Sequence, residues 1–346
     1  MPRIKKDTNQ ILIETMVQRS LRDIACSPER TIRNLVDLAL NFSHGRFQRN
    51  FLETAQAMLK NKKSAYYDLL KDAIASIDHR TISTFGINMG YNSCTKGAKT
   101  IRATEATDSF SIPWSLTFSV NEASWKAHAD RYASAIEEGK ELGIFTYLFF
   151  LSGELPGFLD LAISNPDCAF LFFCSPEDLT DERISALLSI HNIMISVDTT
   201  KNYETVCQKL RKNKLLYACH HFYTPDDCDF LFSGNWLKNL RALKPSFLFI
   251  YPLSSAASQI PAKTLEDVYD YVRDLRSQQC YPAFLLDLFS DNMVIDRIIS
   301  DHAHVALFLP NGDFFAFSDE FQQIPCKENL FDSSLSEIFS TVLTHR

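Results

Sequence analysis

Glycine is scarce in this chain of 346 residues, with only ten present. Loops that cradle phosphate groups need backbone conformations that only glycine tolerates, so the composition argues against a nucleotide site of that kind. No apolar stretch approaches the roughly 20 residues that a membrane helix needs. The net charge is −7, and no predicted face concentrates lysine and arginine. We therefore expect neither a membrane nor a nucleic acid as a partner.

Paired cysteines are also lacking. The nine cysteines are at positions 26, 94, 168, 174, 207, 219, 228, 280 and 326, and no two form a C-x-x-C motif. In a reducing cytosol such cysteines act as small buried apolar side chains. The N-terminal segment MPRIKKDTNQ is not followed by an apolar core of roughly 7–15 residues, so no signal peptide is predicted. We expect a cytoplasmic protein.

Apolar side chains recur at helical spacing in residues 8–105. The stripes are Ile13, Val17, Leu21 and Ile24; Phe47, Phe51, Ala55, Met58 and Leu59; and Tyr66, Leu70, Ile74 and Ile77. Ser27 and Pro28 fit an N-cap that is followed by proline at the first helical position. These patterns predict a helical N-terminal region.

From Ser111 onward, continuous apolar runs alternate with amphipathic segments. The runs are 112–120, 144–151, 168–174, 192–198, 214–222, 246–253 and 281–289. Continuous apolar strands with intervening helices are typical of a parallel sheet that is buried on both faces. Six or seven such units favour a full or partial (β/α) barrel over a doubly wound sheet. The segment 304–318 predicts a β-hairpin that turns at Asn311-Gly312, and a closing helix follows.

Several segments occur in an informative order. They are GYNSCTKGAKTIR (90–102), IPWSLTF (112–118), EEGKELGIFTYLFFLSGE (137–154), NPDCAFLFF (165–173), ISVD (195–198) and LPNGDFFAF with ENLFDSSLSEIF near the end. In this order they resemble one branch of the radical SAM family, over about residues 85 to 345. The resemblance implies an α/β fold with a partial (β/α)6 TIM-like barrel and a SPASM-like C-terminal extension. With the helical stripes, it predicts a helical N-terminal region at 1–105, the barrel at 106–290, and a hairpin with a closing helix at 291–346.

The resemblance fails where the family holds its iron–sulfur cluster. After the first strand the family has C-x-x-x-C-x-x-C, whose three thiolates ligate a [4Fe–4S] cluster. Here the stretch NEASWKAHADRY (121–132) contains no cysteine and reaches the first helix sooner, as if the loop were cut out. No cysteine lies between Cys94 and Cys168. Cys168 and Cys174 bracket the third strand, about 20 Å apart at 3.3 Å per residue, so they cannot share a cluster. We expect no [4Fe–4S] cluster.

Other family positions have changed as well. The Gly-Gly-Glu-Pro motif survives only as Gly153 and Glu154. Ser196 and Asp198 match the fourth-strand position that contacts the cofactor, so these four residues resemble a vestigial S-adenosylmethionine site. A turn glycine, a solvated carboxylate and a helix N-cap at Asp198 are the structural alternatives. Phe317 stands where the hairpin of the family carries a cysteine. No cofactor is expected, and S-adenosylmethionine is only weakly implied.

Cysteine and histidine cluster once, at Cys219, His220, His221 and Cys228. Zinc accepts such ligands, but the two adjacent histidines on a strand point to opposite faces, so no metal site is predicted. We expect His221 to point into the barrel mouth, near Tyr251. His128 lies where the cluster loop would be and is predicted to be a surface helix residue.

Of three functions, the first is the one that we predict: a pseudoenzyme that binds a protein partner, such as an active radical SAM relative or a maturation substrate, or a small molecule. Two alternatives remain. The second is a non-radical enzyme that uses Glu154, Asp198 and His221, because a carboxylate and a histidine can transfer protons if they meet a substrate. The third is a radical SAM enzyme whose cluster has non-standard ligands.

Overall fold

The computed structural model describes residues 8–23, 28–42, 45–252, 260–300, 302, 304–318, 322–324 and 326–344. The α-helices in these residues are α1 (Thr8–Asp23), α2 (Pro28–Phe42), α3 (Arg46–Met58), α4 (Tyr66–Ser76), α5 (His79–Ile87), α6 (Ala98–Glu105), α7 (Glu122–Leu142), α8 (Asp160–Ser164), α9 (Asp181–Leu187), α10 (Tyr203–Lys212), α11 (Cys228–Phe232), α12 (Asn235–Leu240), α13 (Ala262–Gln278), α14 (Leu288–Ile299) and α15 (Leu335–Val342). The strands are β1 (Ser115–Asn121), β2 (Thr146–Ser152), β3 (Ala169–Cys174), β4 (Ile193–Asp198), β5 (Tyr217–Tyr223), β6 (Phe247–Pro252), β7 (Phe284–Asp287), β8 (Val305–Phe308), β9 (Phe314–Phe317) and β10 (Gln323–Ile324).

The N-terminal region is helical, as the apolar stripes predict. Helix α2 begins at Pro28, as predicted, whereas Ser27 and Ile24 lie outside the described residues. A π-helix, Asn88–Gly97, joins α5 to α6. The Arg211 guanidinium donates to both carboxylate oxygens of Asp72, each at 2.7 Å, and so ties α4 to the barrel. The domain boundaries at 105 and 290 remain predictions.

The sheet has the strand order β10-β9-β8-β1-β2-β3-β4-β5-β6-β7. Strands β1 to β7 are parallel, and each pairs with the next along the chain. Because such crossovers share one hand, consecutive strand order places their helices on one face and leaves the other face as an interior. This arrangement confirms the partial (β/α) barrel that the radical SAM resemblance implies. Strand β7 is the seventh strand that the seventh apolar run predicts, one more than the six that the resemblance implies.

The C-terminal hairpin belongs to the same sheet. Strand β8 pairs parallel with β1 and antiparallel with β9. The predicted turn is confirmed: Gly312 has φ +85°, and its amide donates to the Leu309 carbonyl at 2.9 Å. Helix α14 connects β7 to β8, the strand on the far side of β1, and it packs against β6, β7 and β8. The helix therefore covers the gap that the strands leave open.

Candidate functional site

The carboxyl ends of parallel barrel strands meet at one edge, where the active sites of such barrels lie. In this chain the strands β1 to β7 end at Asn121, Ser152, Cys174, Asp198, Tyr223, Pro252 and Asp287. We call this edge the barrel mouth and the opposite edge the amino end. The mouth holds the predicted site residues or their immediate neighbours in sequence, so it is the candidate site.

No residue separates strand β1 from helix α7. The Asn121 side chain accepts a hydrogen bond from the Ser124 amide at 2.9 Å, and the Ser124 hydroxyl accepts one from the Asn121 amide at 3.1 Å. This capping box satisfies amides that would otherwise lack partners at the helix start. The Trp125 indole then donates to the Pro156 carbonyl at 2.7 Å, which fastens α7 to the loop after β2. The position of the expected cluster loop is a packed strand-to-helix junction.

Helix α7 is kinked at His128, whose backbone is non-helical (φ −136°, ψ 24°). The imidazole stacks on the Phe331 ring, with 3.7 Å between centroids and 8° between planes. His128 is therefore a partly exposed residue of helix α7, as predicted, and its ring rests on the C-terminal segment. The stacking gives the residue a structural role.

The Gly-Glu turn after β2 has a backbone reason for its glycine. Gly153 has φ +87°, a conformation that a side chain disfavours. The Arg183 guanidinium donates to the Gly153 carbonyl at 3.1 Å, and the same side chain donates to the Asp178 carbonyl at 2.7 Å. The Glu154 side chain is exposed. These contacts fit the turn glycine and the solvated carboxylate that were the structural alternatives.

Ser196 lies fully buried beneath the mouth and meets His220, not His221. The Ser196 hydroxyl and His220 Nδ1 are 3.0 Å apart. The pKa of His220 is lowered to about 4, chiefly because burial penalises the charged ring, while Asp198 opposes this shift. A neutral imidazole therefore lies inside the barrel at neutral pH, hydrogen-bonded to one hydroxyl.

Aromatic rings fill the interior around His220. Phe150 and Phe173 stack at 4.4 Å between centroids, and Tyr251 lies 5.1 Å from Phe150. Phe222 lies 5.1 Å from the His220 ring, and Phe249 lies 5.6 Å from Phe173. Phe150 and Phe222 are half-buried, whereas Tyr251 is buried. Rings from four strands, β2, β3, β5 and β6, therefore contact one another just inside the mouth.

Asp198 is engaged in a local turn. Its Oδ1 accepts hydrogen bonds from the Thr200 amide at 2.8 Å and from the Thr200 hydroxyl at 2.6 Å. The residue before helix α10 is Asn202, so Asp198 is not the N-cap of that helix. Asp198 thus shapes the turn after β4.

His221 points away from the interior, contrary to the sequence-based expectation. Its ring lies 5.8 Å from Phe230 of α11 and 5.9 Å from Trp236 of α12, so it faces the helical layer. Both ring nitrogens are buried without a hydrogen-bond partner among the described residues, and burial lowers the pKa of His221. Alternation along β5 puts His220 inside instead. Glu154, Asp198 and His221 therefore do not converge.

Asp287 is a carboxylate of the mouth that the sequence analysis did not select. It ends β7, is fully buried, and caps α14 by accepting from the amides of Phe289 and Ser290 and from the Ser290 hydroxyl at 2.6 Å. Burial raises its pKa to about 7, although the Ser290 hydrogen bonds oppose the shift. Aspartate at the end of the last apolar run, in LLDLF, was the available signal.

The residues present do not fit a cysteine-ligated cluster. Cys94 and Cys168 lie near the amino end of the barrel, because the neighbouring Ser93 bonds Thr146 at the start of β2, and Cys168 precedes β3. Cys174 lies at the mouth, and burial raises its pKa to about 12, which disfavours the thiolate that binds iron. Among the residues that the structure describes, no three His, Cys, Asp or Glu side chains form a metal-binding group.

No protein-family model and no curated protein matches this chain. It is similar to crystal structures of SuiB from Streptococcus suis. The structure bound to the precursor peptide SuiA has 11% identity, covers 72% of this chain and 70% of that chain, and gives a TM-score of 0.49. The structure bound to S-adenosylmethionine has 12% identity, 72% and 69% coverage and a TM-score of 0.48. A further SuiB structure has 12% identity, 73% and 71% coverage and a TM-score of 0.48.

These values describe a partial overlap in fold and carry nothing about chemistry. Of the described helices, none is long and apolar enough to cross a membrane.

Proposed function

We propose that this chain is a radical SAM-like pseudoenzyme that assembles no [4Fe–4S] cluster and acts by binding. Its partner in this proposal is a protein, such as an active radical SAM relative or a maturation substrate, or a small molecule. The cytosol is the proposed compartment, because the described cysteines are all free thiols, as a reducing environment favours.

The observation that supports the proposal most strongly is the junction of β1 and α7. A radical SAM cluster needs three thiolates on a loop at this position. Here Asn121 and Ser124 cap a helix that starts directly after the strand, and Trp125 fixes it to Pro156. Neither the ligands nor the length of chain for a cluster loop are present.

The filled interior supports the same proposal. Phe150, Phe173 and Tyr251 occupy the centre of the mouth, so a cofactor would have to displace packed rings. In this proposal Gly153, Glu154, Ser196 and Asp198 are the remains of an S-adenosylmethionine site and give weak affinity at most. In this proposal the turn at Gly153 persists because it sets the path of the chain after β2. The groups that would hold the methionine part of S-adenosylmethionine and the iron have been lost.

Iron and acid-labile sulfide per chain test the proposal. The protein would be purified and reconstituted without oxygen, and its absorbance at about 400 nm would be recorded alongside. We expect no stoichiometric iron and no such absorbance. A variant with Cys228, Cys280 and Cys326 replaced by alanine is the matched control, because these are the described cysteines with exposed surface, so iron that binds adventitiously to thiols would fall in it.

About four irons with equal sulfide, together with cleavage of S-adenosylmethionine, would overturn the proposal in favour of non-standard ligation. Substoichiometric iron that disappears in the control variant, without cleavage activity, would support it.

A further inference from the structure

Three aromatic side chains from three strands form one contiguous surface inside the barrel mouth. The ring centroid of Phe150 on β2 lies 5.6 Å from that of Phe222 on β5 and 5.1 Å from that of Tyr251 on β6. The centroids of Phe222 and Tyr251 are 6.4 Å apart. Strands β3 and β4 separate β2 from β5 in the sheet, so these rings meet across the interior of the barrel. We call Phe150, Phe222 and Tyr251 the mouth triad.

The mouth triad is open to solvent on its outer side. Phe150 and Phe222 are half-buried although both face the interior, and each lies within two residues of the carboxyl end of its strand. Beneath them, Phe173 stacks on Phe150 and His220 lies 5.1 Å from Phe222, and both of these deeper side chains are buried. The exposed surface of Phe150 and Phe222 therefore faces the mouth.

The ring planes of the mouth triad are inclined to one another. Phe150 is tilted by 47° from Phe222 and by 43° from Tyr251, and the planes of Phe222 and Tyr251 are nearly perpendicular, at 87°. The face of each ring is electron-rich and attracts a cation, and sets of inclined rings recognise ammonium groups for this reason. An uncharged apolar ligand would gain only from burial on this surface, whereas a cation would also gain from the ring faces.

A carboxylate lies beside the mouth triad. Asp198 ends β4, the neighbour of β5, and pairs in register with His220. Side chains alternate along a strand, and Ser196 meets His220 inside the barrel, so Asp198 also faces the interior. Thr200 donates to Oδ1 of Asp198 through its amide and its hydroxyl. Oδ2 accepts no hydrogen bond from the described residues, and the side chain is partly exposed, so one oxygen is available to a ligand.

The charge of the loops around the mouth also favours a cation. These loops contain twelve acidic and two basic residues, a net charge of −10 in a chain of net charge −7. They are 121–122, 152–160, 175–183, 198–204 and 223–229. Both basic side chains are engaged: Arg183 donates to the carbonyls of Gly153 and Asp178, and Lys201 pairs with Glu177 at 3.0 Å. A surface of one sign attracts ligands of the other.

We propose that the mouth triad and Asp198 bind the alkylammonium group of a small organic molecule. The group rests on the outer side of the rings with its charge beside the available oxygen of Asp198, so the packed rings beneath it keep their places. The inference rests on the proposed binding function and names the chemical class of its small-molecule ligand.

Ligand-observed NMR titration with two probes of the same shape tests the proposal. Choline carries a quaternary nitrogen, and in its uncharged isostere a carbon atom replaces that nitrogen. We expect saturable binding of choline, weakened as salt screens the charges, and an affinity for the isostere that is lower by about tenfold. Equal affinities for the two probes, or saturable binding of neither, would overturn the proposal.

The iron content of the same sample keeps this proposal separate from the proposed function. The mouth triad contains no ligand for iron, so a failure to bind choline leaves the expected absence of stoichiometric iron unchanged. Stoichiometric iron with cleavage of S-adenosylmethionine would instead refute the pseudoenzyme, whatever the affinity for choline.

Substitutions that keep an apolar side chain locate the recognition of charge. Phe150→Leu and Phe222→Leu each remove a ring face, so choline should lose about fivefold in affinity while the isostere changes little. Asp198→Asn retains an oxygen for Thr200 and should cost choline about threefold, with a weaker salt dependence. Phe230→Leu is the matched control, because this ring is 41% exposed but lies in the helical layer beside His221.

Thermal unfolding of each variant shows whether it is folded before its affinity is compared. Phe222 and Phe150 are tested separately, so a folding defect in one variant leaves the other to decide. A loss of choline affinity in Phe230→Leu as large as in Phe222→Leu would place the site elsewhere and refute the proposal. Equal losses for choline and its isostere in the folded ring variants would show apolar packing without recognition of charge, and would refute it as well.

Discussion

The two ends of the barrel are built in different ways. At the amino end, the buried Asn88 of the π-helix donates to the carbonyls of Pro166 and Cys168, and the second of these hydrogen bonds is fully buried. At the mouth, the rings of Phe150 and Phe222 are half-buried and the loops carry net negative charge. The amino end is closed by hydrogen bonds and tight packing, while the mouth is closed mainly by aromatic rings. On a (β/α) barrel, the first end serves stability and the second carries function.

Glycine shows the same contrast. A Cβ at Gly97 would overlap the Gly143 carbonyl oxygen, where the π-helix approaches the end of α7. A Cβ at Gly153 would meet only Glu122 atoms, at 3.6 Å or more, but its backbone has φ +87°. Space requires the first glycine and backbone conformation requires the second. Single substitutions can therefore test buried polar groups, tight packing and backbone conformation separately at the two ends of the barrel.

The largest expected effect is at the mouth, from Asp287→Asn on the pH dependence of stability. The carboxyl pKa is about 7 in the folded protein, against 3.8 for an aspartate free in water, so the folded state binds more protons between these pH values. Stability from this group is present below about pH 4 and is lost as pH rises through about 7. Three pKa units correspond to about 4 kcal/mol. Urea unfolding from pH 4 to 8 should show that the variant lacks this decline.

Asparagine can still cap α14, so the Asp287 variant should fold. Asp181→Asn is the control, because that carboxylate is exposed and its removal should leave the pH profile nearly parallel to that of the parent. An unchanged decline in Asp287→Asn would show that this carboxyl is ionised in the folded protein.

Gly97→Ala should have the next largest effect, by overpacking the amino end. The new methyl would also lie 3.0 Å from the Asn92 carbonyl oxygen and 3.1 Å from the Phe145 ring. The carbonyl oxygens of Gly143 and Asn92 are backbone atoms, which cannot move aside as a side chain can. We expect a loss of about 3 kcal/mol in the free energy of unfolding, measured by urea denaturation.

Gly86→Ala is the matched control for Gly97→Ala. No atom lies within 4 Å of the added methyl, and alanine favours the helix, so this variant should be neutral or slightly more stable. If both variants have the same free energy of unfolding, then tight packing at Gly97 is not what makes the amino end differ from the mouth.

Asn192→Ala should cost about 2 kcal/mol at the amino end. The Asn192 amide donates to the carbonyls of Ala162, Asn165 and Cys168, at 3.0, 2.9 and 3.1 Å. Alanine would leave buried carbonyls without this donor. Thermal unfolding and urea denaturation would both register the loss.

Asn213→Ala provides the comparison for Asn192. Its amide donates to the Lys209 carbonyl at 2.9 Å, but at an exposed site where water can replace it. A cost as large as that of Asn192→Ala would contradict the view that burial gives the amide its importance.

The smallest effect is expected from Gly153→Ala, at about 1 kcal/mol. The cause is backbone conformation alone, since the methyl has room. Gly153→Asn should recover part of the loss, because asparagine tolerates positive φ better than alanine. A loss above that of Gly97→Ala would reverse the proposed difference between the two ends.

Most of the fold could be predicted from the chain. Seven apolar runs separated by amphipathic segments predict consecutive parallel strands, and the structure has them in that order. The Asn311-Gly312 turn and the helical N-terminal region were also predicted from the sequence. These features depend on periodicity and turn chemistry, which are local. The long π-helix over Asn88–Gly97 was not predicted, because a five-residue hydrogen-bond step leaves no distinct apolar period.

The site was less predictable. The sequence drew attention to His221, yet the register of β5 places His220 inside and His221 under Phe230. A shift of one residue exchanges the two faces of a strand, and sequence alone does not fix that choice when both neighbours are histidines. The place of Asp287 at the end of the last apolar run could have marked it as a mouth residue, but its raised pKa comes from burial, which no local pattern encodes.

The sequence by itself determined that cysteines for a cluster are missing after the first strand, and that a parallel α/β barrel would form. Both follow from residue identity and short-range pattern. Only the tertiary structure decided that rings from four strands meet just inside the mouth, that His220 rather than His221 faces the interior, and that Asp287 is fully buried. Those outcomes depend on which side chains distant segments bring together, and burial and charge act only once that assembly exists.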